Sequence, residues 1–270
     1  MANDPESTSA EEGRYGFVPE NVKKIEEALD DGRLEEIRSL LGSLHVADIA
    51  DLIESLSDDQ RRTLMAAIDH ESIPEVLSYL DETVRESLLD ALEPEQVANV
   101  ITQLDSDDAV DLIETLEPED QREVLDAVPA EERAQLEDAL QYPEDTAGRL
   151  MQRELVKVPV GWTVGNAIDF SRSDVDLPSD FYNLYIVDAG GKPQGSIPLS
   201  RVLRSGRDTP LVSLMDRDLR LVPATMDQEE VAFLFRKYGL IAAPVVDTGG
   251  RLVGVITFDD AVRVIEEEAE

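Results

Sequence analysis

From His45 to Leu140 the chain repeats a pattern of apolar and polar positions every twelve residues. Positions eight and twelve are aliphatic in every unit, and position nine is apolar in all but the last. This spacing places the apolar side chains on one face of a short helix. Such a helix cannot bury its own apolar face, so we predict eight short helices that stack on one another.

The polar positions of the repeat also support helices. Each unit opens mainly with Asp, Ser, Glu or Pro, which suit a helix cap or a first turn. The two histidines, His45 and His70, stand at the first or second position of a unit, where capping is the expected role. Two further helices are predicted before the repeat, one opened by Pro19 and one in RLEEIRSLLGSL.

Segments of different composition surround the repeat. Residues 1–18 are small and polar, which predicts a disordered leader. The helical domain is placed at 19–141. After it, QYPEDTAGRLMQ contains Pro143 and Gly148, so residues 142–150 are predicted to be a linker.

From residue 151 the pattern changes to β-branched runs that alternate with helical stretches. The half Met151–Gly206 lines up with the half Met215–Glu270. Each half reads strand, helix, strand, Gly-Gly hairpin, strand, helix. We therefore predict an α/β region made of two copies of one unit, at 151–208 and 209–270.

The formal charge of the chain is -36, from 60 acidic and 24 basic residues. Nucleic acid and anionic lipid are poor partners for such a surface, whereas cations are good ones. In the alternative interpretation, the acids only keep the protein soluble or reflect life in high salt.

Several kinds of site are excluded or disfavoured. The chain has no cysteine, which excludes disulfides, thiolate metal sites and cysteine nucleophiles. Two histidines at helix starts argue against a zinc or acid/base centre, and no phosphate loop or Ser/His/Asp set is present. We expect no enzymatic activity. No apolar run approaches the ~20 residues that cross a bilayer, and no secretory signal opens the chain, which predicts a soluble cytoplasmic protein.

The unit DSDDAVDLIETL contains the sharpest candidate site. Asp107 and Asp111 share one face of its helix, with Asp108 beside them. Mg2+ prefers oxygen ligands, keeps several waters and needs one or two carboxylates. The alternative is that Asp105 caps the helix and the other acids favour its positive N-terminus, which explains Asp111 less well.

The duplicated unit resembles a tandem pair of cystathionine-β-synthase (CBS) domains, most clearly in VVDTGGRLVGVITFDDAV. Together with the helical repeat, YPEDTAGRLM and TMDQEEVA, the chain resembles the cytosolic part of the MgtE family of magnesium transporters over about residues 20–270. The resemblance implies a multidomain fold, an all-α superhelix of short helices followed by an α/β tandem CBS pair.

The resemblance also implies a function. The chain would be the Mg2+-sensing and gating domain on the cytosolic face of an inner-membrane or plasma-membrane transporter. Its partners would be a second copy, bound through the CBS domains, and the membrane pore domain of the same transporter, which this sequence does not contain.

In the family, Mg2+ bridges acids of the helical domain and of the second CBS domain. The matching positions here are Glu75, Asp107, Asp111, Glu229, Asp260 and Glu268. Two positions depart from the pattern, because Gly239 and Arg263 stand where relatives carry acids. The guanidinium of Arg263 is expected either to remove one bridging site or to act as a built-in counter-ion.

CBS pairs also hold adenosine ligands through a Thr/Ser-x-x-Asp motif, which Thr257 and Asp260 match, so ATP is a second implied ligand. In the first half, Arg201 stands where the ribose-binding acid would be, which argues against nucleotide binding. Two other classes stay open. One is an adenosine-nucleotide-sensing CBS protein with the acidic helices as a solvated scaffold, and the other is an adaptor whose helical stack binds a basic partner protein.

Overall fold

The computed structural model describes residues 19–69, 71–90, 92–173, 177–178 and 181–267. The predicted leader and His70 lie outside the described residues.

Short helices form the first half of the described chain. They are α1 (Pro19–Asp30), α2 (Leu34–Leu41), α3 (Val46–Ser55), α4 (Asp58–Met65), α5 (Ile73–Ser78), α6 (Glu82–Leu89), α7 (Pro94–Ile101), α8 (Ser106–Glu114), α9 (Pro118–Ala127) and α10 (Ala130–Ala139). Each twelve-residue unit contains one helix, α3 to α10, which confirms the eight predicted helices. Alternate helices pack together, α3 with α5, α5 with α7, and α7 with α9.

Burial follows the repeat. The aliphatic residue at position eight is buried in every unit, namely Leu52, Leu64, Val76, Leu88, Val100, Leu112, Val124 and Leu136. Polar residues at the starts of some units cap their helices, whereas Asp81 and Glu117 make no side-chain cap. Ser57 and Gln60 form a capping box at α4, and His45 Nδ1 accepts a hydrogen bond from the Ala47 amide at 3.2 Å.

The second half of the chain mixes strands and helices. Its elements are α11 (Ala147–Leu150), β1 (Val156–Pro159), α12 (Val164–Ser171), β2 (Asn183–Val187), β3 (Pro193–Pro198), α13 (Leu199–Leu203), β4 (Val222–Pro223), α14 (Gln228–Tyr238), β5 (Ala242–Val246), β6 (Leu252–Thr257) and α15 (Phe258–Glu267). The two sheets have the orders β1-β2-β3 and β4-β5-β6, each with one parallel and one antiparallel pair. This duplicated β-α-β-β-α arrangement confirms the predicted CBS pair.

The chain divides into two compact units. The helical unit runs to Leu104 and includes Leu112–Pro129. The mixed unit comprises Asp105–Asp111 and the chain from Ala130 onward. Residues 106–111 of α8 therefore belong to the mixed unit, and the rest of the helix belongs to the helical unit.

The two halves of the mixed unit are bound to each other by exchanged backbone pairs. The residues that lead into the first half pair with the last strand of the second, since Gln152 and Val255 exchange two hydrogen bonds of 2.9 Å. Reciprocally, Asp216 and Ser196 exchange hydrogen bonds of 2.8 and 3.0 Å. Each half thus completes the sheet edge of the other.

Glycines make this exchange possible. A Cβ atom on Gly254 would lie 2.5 Å from the sulfur of Met151, and one on Gly195 would lie 2.6 Å from the carbonyl oxygen of Asp216. Both distances are shorter than any side chain tolerates, so the close approach requires glycine at both equivalent positions.

The segment 142–150 packs on the second sheet through α11. Ala147 is fully buried, and its amide donates to the carbonyl of Met226 at 2.8 Å. The Gly148 amide donates to the carbonyl of Ala224 at 2.8 Å. This part of the predicted linker is therefore tied to the second CBS domain.

Candidate cation site

The start of α8 is held by an acid far away in the sequence. Glu154 Oε2 accepts hydrogen bonds from the amide and hydroxyl of Ser106, at 3.2 and 2.8 Å, and from the Arg153 amide at 3.0 Å. A carboxylate at a helix N-terminus is favourable because the first amides have no partner within the helix. Glu154 was not predicted, because it lies 48 positions after Ser106 and local spacing gives no signal for such a contact.

The start of α15 is closed by Thr257 and Asp260. Asp260 Oδ2 accepts from the Thr257 amide at 2.9 Å and from its hydroxyl at 2.6 Å. This is the N-cap and third-residue spacing of a capping box, which explains Thr-x-x-Asp as a helix start. Only 2% of Asp260 is exposed, and its Oδ1 accepts from Arg263 at 3.1 Å. Both carboxylate oxygens are thus engaged within the protein.

Asp107 lies in the first turn of α8 and is 9% exposed. Its Oδ1 atom is buried without a hydrogen-bond partner among the described residues. Burial raises the pKa of Asp107 well above its usual value, and the charges of Asp260 and Asp108 raise it further. Asp107 is therefore a buried acid that faces other acids and has unused acceptor capacity, an arrangement that favours the protonated form unless a cation is near.

Arg263 on α15 is the one cation that contacts acids of α8 among the described ion pairs. Its guanidinium lies 3.1 Å from Asp108, 3.5 Å from Asp111 and 3.1 Å from Asp260. Burial opposes the charge of Arg263, but the carboxylates of Asp108, Asp111 and Asp260 raise its pKa overall. The guanidinium of Arg263 thus lies within ion-pair distance of carboxylates on both helices.

Other acids add negative charge around this pair of helix starts. Burial, and next the charge of Glu154, raise the pKa of Asp105 to about 6. Burial also raises the pKa of Asp108, although the Arg263 guanidinium opposes the shift. The acids around Arg263 outnumber it, so the contact between α8 and α15 keeps an excess of negative charge.

The residues fit a partly hydrated cation rather than a fully protein-bound one. Within the described ranges, no group of three or more His, Cys, Asp or Glu residues is arranged to hold a metal ion. Mg2+ needs only one or two carboxylates because it keeps much of its water shell. Asp107 Oδ1, which has no partner among the described residues, is an oxygen of the kind that Mg2+ prefers, while Arg263 pairs with Asp108, Asp111 and Asp260.

The other predicted ligands lie elsewhere. Glu75 is exposed on α5 in the helical unit, and Glu229 is exposed in the first turn of α14. Glu268 lies outside the described residues. Gly239 ends α14 with a φ of +60°, a left-handed conformation that favours glycine.

The first CBS half carries different residues at the positions of Thr257 and Asp260. Pro198 precedes α13 and cannot donate a hydrogen bond. Arg201 is exposed and donates to the carbonyl of Leu214 at 2.8 Å. Neither half therefore offers a free carboxylate at the predicted ribose-binding position.

Comparisons with known proteins agree with this architecture. Residues 44–145 match the family model of the MgtE intracellular N domain, and residues 211–267 match the CBS domain model. The crystal structure of the soluble part of a magnesium transporter superposes with a TM-score of 0.81 at 26% identity, over 93% of this chain and 99% of that one. The cytosolic domain of the Mg2+ channel MgtE in complex with ATP superposes with a TM-score of 0.83 at 30% identity, over 90% of this chain and 99% of that one.

The chain belongs to the MgtE family. It corresponds to the cytosolic region of that family. The magnesium transporter MgtE of Thermus thermophilus is 38% identical over 137 residues, which are 51% of this chain and 30% of that protein. The chain thus spans about a third of the length of this curated MgtE relative. Within the described residues, no helix has the length and apolar character needed to span a membrane.

Proposed function

We propose that this chain is the Mg2+-sensing and gating region of a magnesium transporter. The observation that carries the proposal is the buried Asp107 carboxylate, with one unpartnered oxygen, beside Asp260. The similarity to the magnesium transporter MgtE of Thermus thermophilus supports the choice of ion. Relatives of this kind are transporters rather than enzymes, and we propose no catalytic role.

The acids of α8 and α15 would make the contact between the two helices depend on Mg2+. Without Mg2+, Asp107 and Asp260 repel each other, which favours release of the start of α8 from α15. A bound Mg2+ would supply the positive charge that offsets this repulsion. Asp107 would hold it through Oδ1, and Asp260 through the remaining lone pair of its own Oδ1, because its Oδ2 already accepts two hydrogen bonds from Thr257. Weak binding suits a sensor because few protein ligands and retained water give modest affinity.

The packing of α11 indicates where the molecule would open. Ala147 and Gly148 are bonded into the second CBS domain, so we place the hinge before them. Opening would break the contacts of the α8 start and the ion pair between Arg153 and Asp138 of α10, whose nitrogen and oxygen lie 2.9 Å apart. Asp107 and Asp260, the acids of the proposed Mg2+ site, would then be exposed to water.

Two partners follow from this function. Exposed apolar side chains on α14 and α15, at Phe233, Phe258 and Ile265, are 48%, 54% and 39% exposed. We propose that they contribute to a two-fold contact between the CBS pairs of two subunits. The other partner is the membrane pore domain of the same transporter, which docking of the helical domain would gate.

The test is divalent-specific compaction. The radius of gyration should fall, and proteolysis at 141–150 should slow, in millimolar Mg2+ at constant ionic strength. Screening by NaCl alone acts over a Debye length of about 8 Å at physiological ionic strength and does not bridge carboxylates. Equal protection by NaCl at matched ionic strength would instead support the solvated scaffold or the basic-partner adaptor.

A nucleotide ligand is a second candidate, favoured by the relative whose structure contains ATP. In this chain Asp260 accepts hydrogen bonds from both the amide and the hydroxyl of Thr257, so ATP would have to be held by other groups or displace those hydrogen bonds. Thermal melts with ATP in the absence of Mg2+ test it. Stabilisation by ATP without any response to Mg2+ would favour the nucleotide-sensing alternative.

A further inference from the structure

We propose that Arg263 is a built-in counter-ion that keeps the start of α8 on α15 when Mg2+ is absent. This contact would therefore depend only partly on Mg2+. The inference rests on the proposed function, because it concerns how strongly the same contact requires the ion.

The geometry joins two helices through one side chain. Nη2 of Arg263 lies 3.1 Å from Asp108 on α8 and 3.1 Å from Asp260 on α15, while Nη1 lies 3.5 Å from Asp111. Asp108 and Arg263 are 155 positions apart in the sequence. The guanidinium thus spans the gap between the helices, with the planar fork that suits several carboxylate oxygens.

The surroundings make this charge more effective than a surface ion pair. The side chain of Arg263 is 32% exposed, and those of Asp108 and Asp260 are 25% and 2% exposed. Water screens such charges less than it screens fully exposed ones. The guanidinium is also tethered to α15, so it acts at a high effective concentration whatever the Mg2+ concentration.

Arg263 does not satisfy the whole cluster. Its three carboxylate partners outnumber it, and Asp107 Oδ1 has no partner among the described residues. The remaining negative charge at this contact therefore still favours the binding of Mg2+. We therefore expect the start of α8 to be bound partly to α15 at zero Mg2+ and more tightly when Mg2+ is added.

The first CBS half offers a matched control. In the sequence alignment of the two halves, Arg204 occupies the position of Arg263 and is exposed. The residue at the position of Asp260 is Arg201, so the last helix of the first half has a basic side chain where the second half has an acid. Arginine at this position is thus compatible with the fold without the α8 acids.

Hydrogen exchange at the start of α8 tests the inference in the full chain. Exchange of residues 106–111 is followed during a Mg2+ titration at constant ionic strength for wild type, Arg263→Met, Arg263→Lys and Arg204→Met. At zero Mg2+, Arg263→Met should lose protection of the α8 start by roughly tenfold, a typical coupling between two sites. Arg263→Lys keeps the charge and should retain most of the protection, and Arg204→Met should change nothing.

Millimolar Mg2+ should then restore protection in Arg263→Met, because the ion takes over the role of the guanidinium. Unchanged protection of Arg263→Met at zero Mg2+ would overturn the inference. So would a loss that Mg2+ does not restore while wild type responds to Mg2+, or an equal loss in Arg263→Lys. If neither wild type nor Arg263→Met responds to Mg2+, the proposed function fails, whereas the zero-Mg2+ result still decides whether Arg263 holds the contact.

Discussion

The two halves of the CBS pair share a backbone plan but differ in the chemistry at the start of their last helix. Both halves turn through an Asp-x-Gly-Gly hairpin in which the aspartate, Asp188 or Asp247, accepts two backbone hydrogen bonds of 2.8 and 2.9 Å. The last helix of the first half, α13, has five residues, whereas α15 has ten. The capping acid Asp260 is present in the second half alone, since Arg201 replaces it in the first.

This difference separates what the fold requires from what the site requires. The hairpin aspartates and the strand glycines recur because each half must make the same turn and the same close approach. The acid Asp260 occurs in the half that α8 supplies with further acids, whereas an arginine, Arg204 or Arg263, stands at the same position in both halves. Duplication has thus kept the backbone, while one copy carries the candidate cation contact.

The largest effect is expected where the halves are alike. Gly195→Ala and Gly254→Ala should each destabilise the protein by roughly 1–3 kcal/mol, because a Cβ would meet neighbouring backbone and methionine atoms in both. Urea unfolding measures the effect. Gly161→Ala is the control, since a Cβ there meets nothing within 4 Å. If one of the two strand glycines tolerated alanine, the exchanged pairing would not be equivalent in the two halves.

The next effect concerns Asp107, whose Oδ1 has no hydrogen-bond partner among the described residues. Without Mg2+, Asp107→Asn should stabilise the protein, because burial and the charges of Asp260 and Asp108 disfavour the ionised carboxylate. A thermal melt in a chelator measures it. An ordinary first-turn aspartate would lose stability instead, so a lower melting temperature would show that Asp107 acts as helix support.

Placing the threonine and the aspartate of the second half at the equivalent positions of the first half tests whether these two residues alone create the site. Pro198→Thr with Arg201→Asp should give the first half a capping box and stabilise it by about 0.5–1 kcal/mol. No new Mg2+ response is expected, because the acids of α8 pair with α15. A Mg2+-dependent gain in this variant would contradict the assignment of the site to the second half.

The smallest effect on stability is expected at Asp247, in the Asp-x-Gly-Gly hairpin of the second half. The hydrogen bond from the Arg251 amide lowers the pKa of Asp247 against the opposing effect of desolvation, and hydrogen bonds from the Arg251 side chain and the Gly249 amide lower it further. A lowered folded-state pKa gives stability that is complete above the unfolded value of about 4 and is lost as the pH falls through the folded value. Asp247→Asn should therefore flatten the acid side of the stability curve, followed by melts from neutral pH downward. An unchanged acid limb would show that Asp247 contributes no pH-dependent stability.

The sequence predicted most of the fold because its strongest signals are local. The twelve-residue spacing requires nothing beyond one helix, and the buried position-eight residues bear it out. The run LRLVPAT was a weaker guide, since only Val222 and Pro223 form strand β4.

The candidate site was predictable only in part. Asp107, Asp111 and Asp260 came from the resemblance, and their proximity depends on contacts between helices far apart in sequence. Glu154 was missed for that reason. The Thr257-x-x-Asp260 spacing was interpreted as a nucleotide motif, whereas the same spacing is also a helix capping box, and only the structure shows which hydrogen bonds form.

The central claim is that Asp107 and Asp260 share one Mg2+. The most direct measurement is the stabilisation by Mg2+, at constant ionic strength, of wild type, Asp107→Asn, Asp260→Asn and the double variant. Each single variant should gain less from Mg2+ than wild type, and the double variant should lose little more than either single one, because both remove ligands of one ion. Losses that add up, or gains from Mg2+ that equal those of wild type, would contradict a shared ion.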